Sequence, residues 1–138
     1  MKLLIDSTPL IGLLLKNDQW HEASLKLGPL IDNHQTYITD IILAETINSL
    51  KGTNGKMGKL IFEKLIKTNK IIIIKTMATY VSAIDIFLKY DGSIGFSDCT
   101  TIQIMSEKNI NHILSFDSDF DKVENVIRIH EKNFFNYL

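Results

Sequence analysis

Four acidic residues spread along the 138-residue chain have side chains that could act together in one chemical site: Asp6, Glu45, Asp98 and Asp117. Carboxylates held close together repel one another, so they need a positively charged partner to remain ionised. A divalent cation is the natural partner, and oxygen ligands without a His or Cys cluster favour Mg²⁺ or Mn²⁺ over zinc. Such an ion activates water and stabilises a leaving oxygen, so this set of residues suits phosphodiester hydrolysis.

Each of these acids also has an ordinary structural interpretation. Asp6 could end a strand, Asp98 could cap a helix, and Asp117 and Asp119 could form turns. Glu45 could lie on the solvent side of its helix. The hypothesis of a shared site therefore depends on whether the predicted elements bring these positions together.

Apolar segments and helical periodicity predict an alternation of strands and helices. The predicted strands cover residues 2–6, 37–39, 71–75, 112–116 and 126–129, and the predicted helices cover 9–15, 19–31, 41–50, 56–67, 78–90 and 97–108. The four consecutive isoleucines from Ile71 to Ile74 predict a strand that is covered on both faces. This alternation favours an α/β fold with a central parallel sheet and helices on both sides.

In such folds, ligands bind at the carboxyl ends of the parallel strands. Asp6 closes the first predicted strand, and Asp117 follows the fourth. Glu45 lies in a helix that follows the second strand, and Asp98 opens a later helix. The four acids are therefore expected to converge on one edge of the sheet.

Four segments around these acids resemble the PIN-domain family, of which VapC toxins are examples. They are LLIDSTPLIGLL at 3–14, ITDIILAE at 38–45, GFSDCTTIQ at 95–103 and ILSFDSDF at 113–120. The set follows the family's order and spacing, although Cys99 stands where the family usually has Ala. The resemblance implies a single three-layer α/β/α domain over residues 1–138, with a central parallel sheet of four to five strands.

The same resemblance implies an Mg²⁺- or Mn²⁺-dependent endoribonuclease that cleaves single-stranded RNA, as the toxin of a type II toxin–antitoxin pair does. Asp6, Asp98 and Asp117 would be metal ligands, and Glu45 would bind a second ion or orient water. Asp119 would be an auxiliary acid, and the choice between Asp117 and Asp119 as the fourth ligand stays open. Thr8 would form a hydrogen bond near Asp6 or the substrate phosphate. A cognate antitoxin and a second copy of the chain are the implied protein partners.

A cluster of lysines suggests where RNA could bind. Seven lysines against the single acid Glu63 give a local formal charge of +6, whereas the whole chain carries −1; they are Lys51, Lys56, Lys59, Lys64, Lys67, Lys70 and Lys75. On a helix, four of these lysines fall close to one stripe that could follow an RNA backbone: Lys56, Lys59, Lys67 and Lys70. The alternative is an ordinary solvated helix face.

Composition excludes several other classes of protein. With 45% hydrophobic and 22% charged residues the chain is not a disordered segment, and a single cysteine excludes an intrachain disulfide and a cysteine-based zinc site. No apolar run approaches the roughly 20 residues of a membrane span. We therefore expect a soluble, cytoplasmic protein.

Three alternative functions remain. A PIN-domain nuclease of RNA processing or quality control and a catalytically inactive PIN-fold binding module both fit the same motifs. A receiver-like phosphoacceptor domain also gathers acids at a sheet edge, but it is expected to carry an acidic pair after its first strand. Here Ser7 and Thr8 follow Asp6.

Overall fold

A five-stranded parallel sheet lies at the centre of the structure, a computed structural model that describes residues 1–53, 55–68 and 71–138. The strands are β1 (Lys2–Ile5), β2 (Gln35–Thr39), β3 (Ile71–Ile73), β4 (His112–Leu114) and β5 (Ile127–Ile129). Their order across the sheet is β3-β2-β1-β4-β5, and every neighbouring pair is parallel. This strand order differs from the 2-1-3-4-5 order of receiver domains and excludes that alternative.

Helices flank this sheet and complete the three-layer α/β/α architecture predicted from the sequence. They are α1 (Ser7–Leu14), α2 (His21–Asn33), α3 (Asp40–Asn48), α4 (Gly55–Lys67), α5 (Met77–Lys89) and α6 (Phe96–Lys108), with short 3₁₀ helices at Ser118–Lys122 and Phe134–Tyr137. All eleven predicted elements are present, with ends shifted by a few residues at most. Within the described ranges, none of the helices combines the length and the apolar character needed to cross a membrane.

The core is densest around the central strand. Leu3, Leu4 and Ile5 of β1 are inaccessible to solvent, as are Ile38 of β2 and Ile113 of β4. A parallel strand with helices over both faces has no solvent side, which is why β1 is apolar at consecutive positions instead of alternating. The first polar residue after this run is Asp6, whose backbone N–H donates to Leu114 O at 2.9 Å.

The prediction that the isoleucine run is covered on both faces is wrong. β3 ends at Ile73 and is one of the two edge strands of the described sheet, paired with β2 on one side. Ile71 is 41% exposed and Ile74 is 69% exposed, whereas Ile73 is buried. Hydrophobicity and β-branching identify a strand, but the position of that strand in the sheet depends on pairing with distant segments.

Candidate active site

The structure brings the four predicted acids to one open cleft of about 430 Å³ at the carboxyl edge of the sheet. Asp6 directly follows β1, and Asp117 lies three residues beyond the end of β4. Glu45 reaches the cleft from the second turn of α3, and Asp98 from the first turn of α6. The remaining lining residues are small, polar or aliphatic: Ser7, Thr8, Ile11, Asn48, Ser49 and Ser97.

Asp6 is the most deeply buried of these acids, with 5% of its surface exposed. Its Oδ2 accepts hydrogen bonds from Ser115 Oγ at 2.7 Å and from Thr8 Oγ1 at 3.2 Å. Burial raises the pKa of the Asp6 carboxyl; the hydrogen bonds from Ser115, the Ser7 backbone and Thr8 oppose this shift, and the charge of Glu45 adds to it. These hydrogen bonds hold the carboxylate in a fixed orientation.

The same two hydroxyl groups connect Asp6 to the chain after β4. Ser115 Oγ accepts from the backbone N–H of Asp117 at 3.0 Å, and Thr8 Oγ1 accepts from that of Phe116 at 3.0 Å. Each of these two hydroxyls therefore donates a hydrogen bond to Asp6 and accepts one from the segment that carries Asp117. The positions of Asp6 and Asp117 are therefore coupled through specific side chains as well as through the pairing of β1 with β4.

Asp98 shows how strongly the acids interact. Burial, followed by the charges of Asp6, Asp117, Glu45 and Asp119, raises the pKa of its carboxyl to about 7. A carboxyl whose pKa is raised this far by burial and by neighbouring charges would become ionised readily if a cation entered the cleft. The ionisation of Asp98 therefore depends on the charges of the other acids in and beside the cleft.

The three aspartates after β4 have different partners. Asp117 lines the cleft, and its Oδ1 accepts from the backbone N–H of Asp119 at 2.9 Å. Asp119 forms an ion pair with Lys122 at 2.8 Å. Asp121 accepts two hydrogen bonds from Arg128, at 2.8 and 2.7 Å, which lower the pKa of its carboxyl. Of this run, only Asp117 is among the residues that line the cleft.

The structure places the predicted substrate-binding residues in two different regions, the cleft and helix α4. Thr8 lines the cleft, where its hydroxyl bridges Asp6 and Phe116. Lys56, Lys59 and Lys67 are exposed on α4 and do not line the cleft. Lys70, which belongs to the same predicted stripe, lies outside the described residues.

Sequence reasoning missed two residues near the site. Ser115 follows β4 and is completely buried, and its hydrogen bonds to Asp6 and Asp117 become visible only once the two segments are adjacent. Lys75 is one of the seven clustered lysines proposed to bind RNA, but it is only 7% exposed. Its proximity to the acids is evident from the charges of Asp40, Glu45 and Asp98 that act on it.

The donor set fits a hard divalent cation. The cleft offers carboxylate and hydroxyl oxygens, and neither His nor Cys is among its lining residues. Across the described ranges, no three His, Cys, Asp or Glu side chains are grouped closely enough to enclose an ion by themselves. Mg²⁺ commonly binds to one or two carboxylates, with water and substrate phosphate oxygens as the other ligands, so an open acidic cleft is compatible with it.

A family model described as the PIN domain matches residues 3–126, which include all four acidic positions, and the chain therefore belongs to the PIN domain family. PIN domains are typically nucleases. The resemblance inferred from the four acidic segments is confirmed. None of the curated protein sequences compared with the chain matches it.

Two solved structures share this fold. The toxin VapC20 of Mycobacterium tuberculosis, which cleaves the sarcin-ricin loop, superposes with a TM-score of 0.78 at 18% identity, covering 93% of this chain and 98% of VapC20. FitAcB from Neisseria gonorrhoeae superposes with a TM-score of 0.67 at 16% identity, covering 94% of this chain and 97% of the other. At these identities, what the proteins share is the fold.

Proposed function

We propose that this protein is an Mg²⁺- or Mn²⁺-dependent endoribonuclease that cleaves single-stranded RNA. The observation that supports this proposal is the convergence of Asp6, Glu45, Asp98 and Asp117 on one cleft, with the pKa of Asp98 raised to about 7. Membership of a family whose domains are typically nucleases supports the same reaction class.

In this proposal, Asp6, Asp98 and Asp117 would ligate the ion together with water and substrate phosphate oxygens, and the bound ion would activate water and stabilise the leaving oxygen. Ser115 and Thr8 orient the Asp6 carboxylate through their hydrogen bonds. Glu45 is exposed at the cleft and accepts a hydrogen bond from the attacking water, which orients it towards the phosphate. Asp117 is preferred over Asp119 as a ligand because Asp119 is paired with Lys122.

The first prediction is that RNA cleavage requires both the metal and the acids. Purified protein should cut end-labelled single-stranded RNA in Mg²⁺ or Mn²⁺ and not in EDTA. Asp6→Asn and Asp98→Asn should each lower the rate by at least about a hundredfold, since each removes a charge that would bind the ion. The matched control is Asp85→Asn, because Asp85 is exposed on α5 and does not line the cleft.

Equal losses in the control and the site variants would contradict the proposed site. Cleavage that persists in EDTA would contradict the metal requirement. A wild type that binds metal but cuts no RNA in the absence of an inhibitory partner would favour a binding module.

We further propose that the biological role is that of a toxin in a type II toxin–antitoxin pair, with a cognate antitoxin as its partner. The similarity of the fold to that of the toxin VapC20 supports this role. Induced expression in a bacterial host should arrest growth for the wild type and for Asp85→Asn, but not for Asp98→Asn. Active enzyme that leaves growth unaffected would favour a nuclease of RNA processing or quality control.

A further inference from the structure

Lys75 is a buried cation beside the acidic cleft, and the proposed reaction gives it no role. It lies two residues beyond β3, whose carboxyl end is paired with that of β2. The chain after β2 enters α3, the helix that carries Asp40 and Glu45. The topology therefore places the backbone of Lys75 near the start of α3, on the Glu45 side of the cleft.

A hydrogen-bonded chain fixes the Lys75 ammonium to α6. Lys75 Nζ donates to Thr100 Oγ1, and Thr100 Oγ1 donates to the backbone oxygen of Ser97. Thr100 is completely buried, and Asp98 lies between these two residues on the same turn of α6. An exposed lysine samples many rotamers, whereas this one is held in place by the residues that also position Asp98.

The electrostatic surroundings of Lys75 are dominated by carboxylates. Burial lowers the pKa of its ammonium, and the charges of Asp40, Glu45 and Asp98 act in the opposite direction. Placing an ammonium in a protein interior costs free energy unless hydrogen bonds and opposite charges compensate. The three carboxylates and Thr100 supply that compensation, which explains how this position tolerates a lysine.

We propose that Lys75 is a fixed counter-charge of the acidic site, which offsets part of the negative charge on its Glu45 and Asp98 side and thereby limits the affinity of that site for divalent cations. This inference rests on the proposed metal-dependent function. Lys75 acts through the electrostatic field at the cleft, so it is a positioning residue and not a catalytic one.

The direction of the effect follows from Coulomb's law. A fixed positive charge repels an incoming divalent ion, and in a partly buried site this repulsion is not fully screened by solvent. Replacing the ammonium by an uncharged group of similar length should therefore tighten the binding of a divalent ion. At the separations found within one cleft, the expected gain is about tenfold.

The test measures Mn²⁺ binding directly, by electron paramagnetic resonance of the unbound ion, at pH 7.5 in the absence of RNA. Lys75→Met removes the charge and keeps an unbranched side chain, and Lys75→Arg keeps the charge. Lys132→Met is the matched control, because it removes one positive charge from an exposed position outside the cleft. Thermal unfolding of each variant, followed by circular dichroism, verifies that the compared proteins are folded.

We expect Lys75→Met to bind Mn²⁺ about tenfold more tightly than the wild type, or to bind an additional ion per chain. Lys75→Arg and Lys132→Met should remain within about twofold of the wild type. Equal affinities for Lys75→Met and Lys132→Met would overturn the inference. The same shift in Lys75→Met and Lys75→Arg would also overturn it, because that pattern would come from altered packing.

This experiment also separates the inference from the function on which it rests. If the wild type binds Mn²⁺ and Asp98→Asn does not, the metal site exists and the Lys75 variants decide the inference alone. If the wild type binds no Mn²⁺, both the proposed metal dependence and the role of Lys75 are wrong. When Lys75→Met does not fold, Thr100→Val serves as the second variant: releasing the ammonium from its anchor should change Mn²⁺ affinity, and an unchanged affinity would overturn the inference.

Discussion

The aspartates of this chain show how the surroundings of a residue set its chemistry. Asp98 is partly buried among other acids, and its carboxyl pKa is raised to about 7. Asp121 is exposed and bound by the Arg128 guanidinium, and its carboxyl pKa is lowered. Burial and like charges disfavour the ionised form, whereas a hydrogen-bonded cation favours it.

The raised pKa of Asp98 predicts how the stability of the metal-free protein changes with pH. The unfolded chain ionises this carboxyl near 3.8, and the folded chain ionises it near 7, so the folded state binds more protons in between. The free energy of unfolding should therefore fall as pH rises from about 4 to about 7. Asp98→Asn should remove this part of the pH dependence and stabilise the protein at pH 7.5, by on the order of a few kcal/mol at most.

Urea unfolding in EDTA at several pH values from 5 to 7.5 measures this effect, with Asp85→Asn as the exposed control. Parallel pH profiles for the wild type and Asp98→Asn would contradict the electrostatic coupling at the site. Divalent cations should raise the stability of the wild type more at pH 7.5 than at pH 5, since only the ionised site binds them well. At pH 7.5 they should therefore reduce the difference in stability between the wild type and Asp98→Asn.

At the scale of elements, α4 presents both basic and apolar side chains to solvent. Gly58 is its one buried residue within the described range; Leu60 is 62% exposed and Ile66 is 49% exposed, whereas Ile61 and Leu65 are half-buried. Lys59 forms an i,i+4 ion pair with Glu63 at 3.9 Å, an exposed contact of little energetic value. The exposed lysines of α4 could therefore bind the phosphate backbone of RNA.

The hypothesis that α4 binds RNA predicts a loss of affinity on charge reversal. Lys59→Glu combined with Lys67→Glu should weaken the binding of single-stranded RNA and reduce the salt dependence of log K by about 1.4, since each lost phosphate contact contributes about 0.7 on single strands. Binding is measured by fluorescence anisotropy in EDTA at several salt concentrations. Lys16→Glu combined with Lys132→Glu is the matched control, because it makes the same charge change at exposed positions outside α4. Unchanged affinity and slope would identify α4 as a solvated face.

At the scale of the whole molecule, α5 presents an apolar stripe to solvent. Met77, Val81, Ile84 and Leu88 are spaced by four, three and four residues, and each is between 50% and 76% exposed. This spacing is that of a helix–helix seam, and an exposed apolar stripe marks an interaction surface. A second copy of the chain is the occupant implied by the family resemblance.

We therefore predict a homodimer that depends on α5. Val81→Glu should convert the dimer to a monomer, because a charge in an apolar seam has no partner there. Size-exclusion chromatography with light scattering at tens of micromolar protein measures the mass. Leu25→Glu is the matched control, since Leu25 is exposed on α2, and it should stay dimeric. A monomeric wild type, or a dimeric Val81→Glu, would refute this interface.

Much of the fold was predictable because its signals are local. Apolar runs and helical periodicity predicted all five strands and six helices, and the alternation of strands and helices predicted the parallel sheet. Contacts between packed elements are harder to predict from the sequence than the elements themselves. Gly12 is an example: a Cβ there would lie 2.1 Å from Ser24 Oγ and 3.1 Å from Trp20 O, so the contact between α1 and α2 disfavours any larger residue. An isolated glycine in a helical pattern does not identify this neighbour.

The type and order of the elements, the family, and the positions of four acids near the ends of those elements could all be predicted from the sequence. The tertiary structure alone decided that β3 is an edge strand, that Asp117 lines the cleft while Asp119 and Asp121 pair with Lys122 and Arg128, and that Lys75 is buried. The physical reason is that propensity and periodicity depend on neighbours along the chain. Burial, ion pairing and pKa depend on groups that become neighbours only when distant segments pack together.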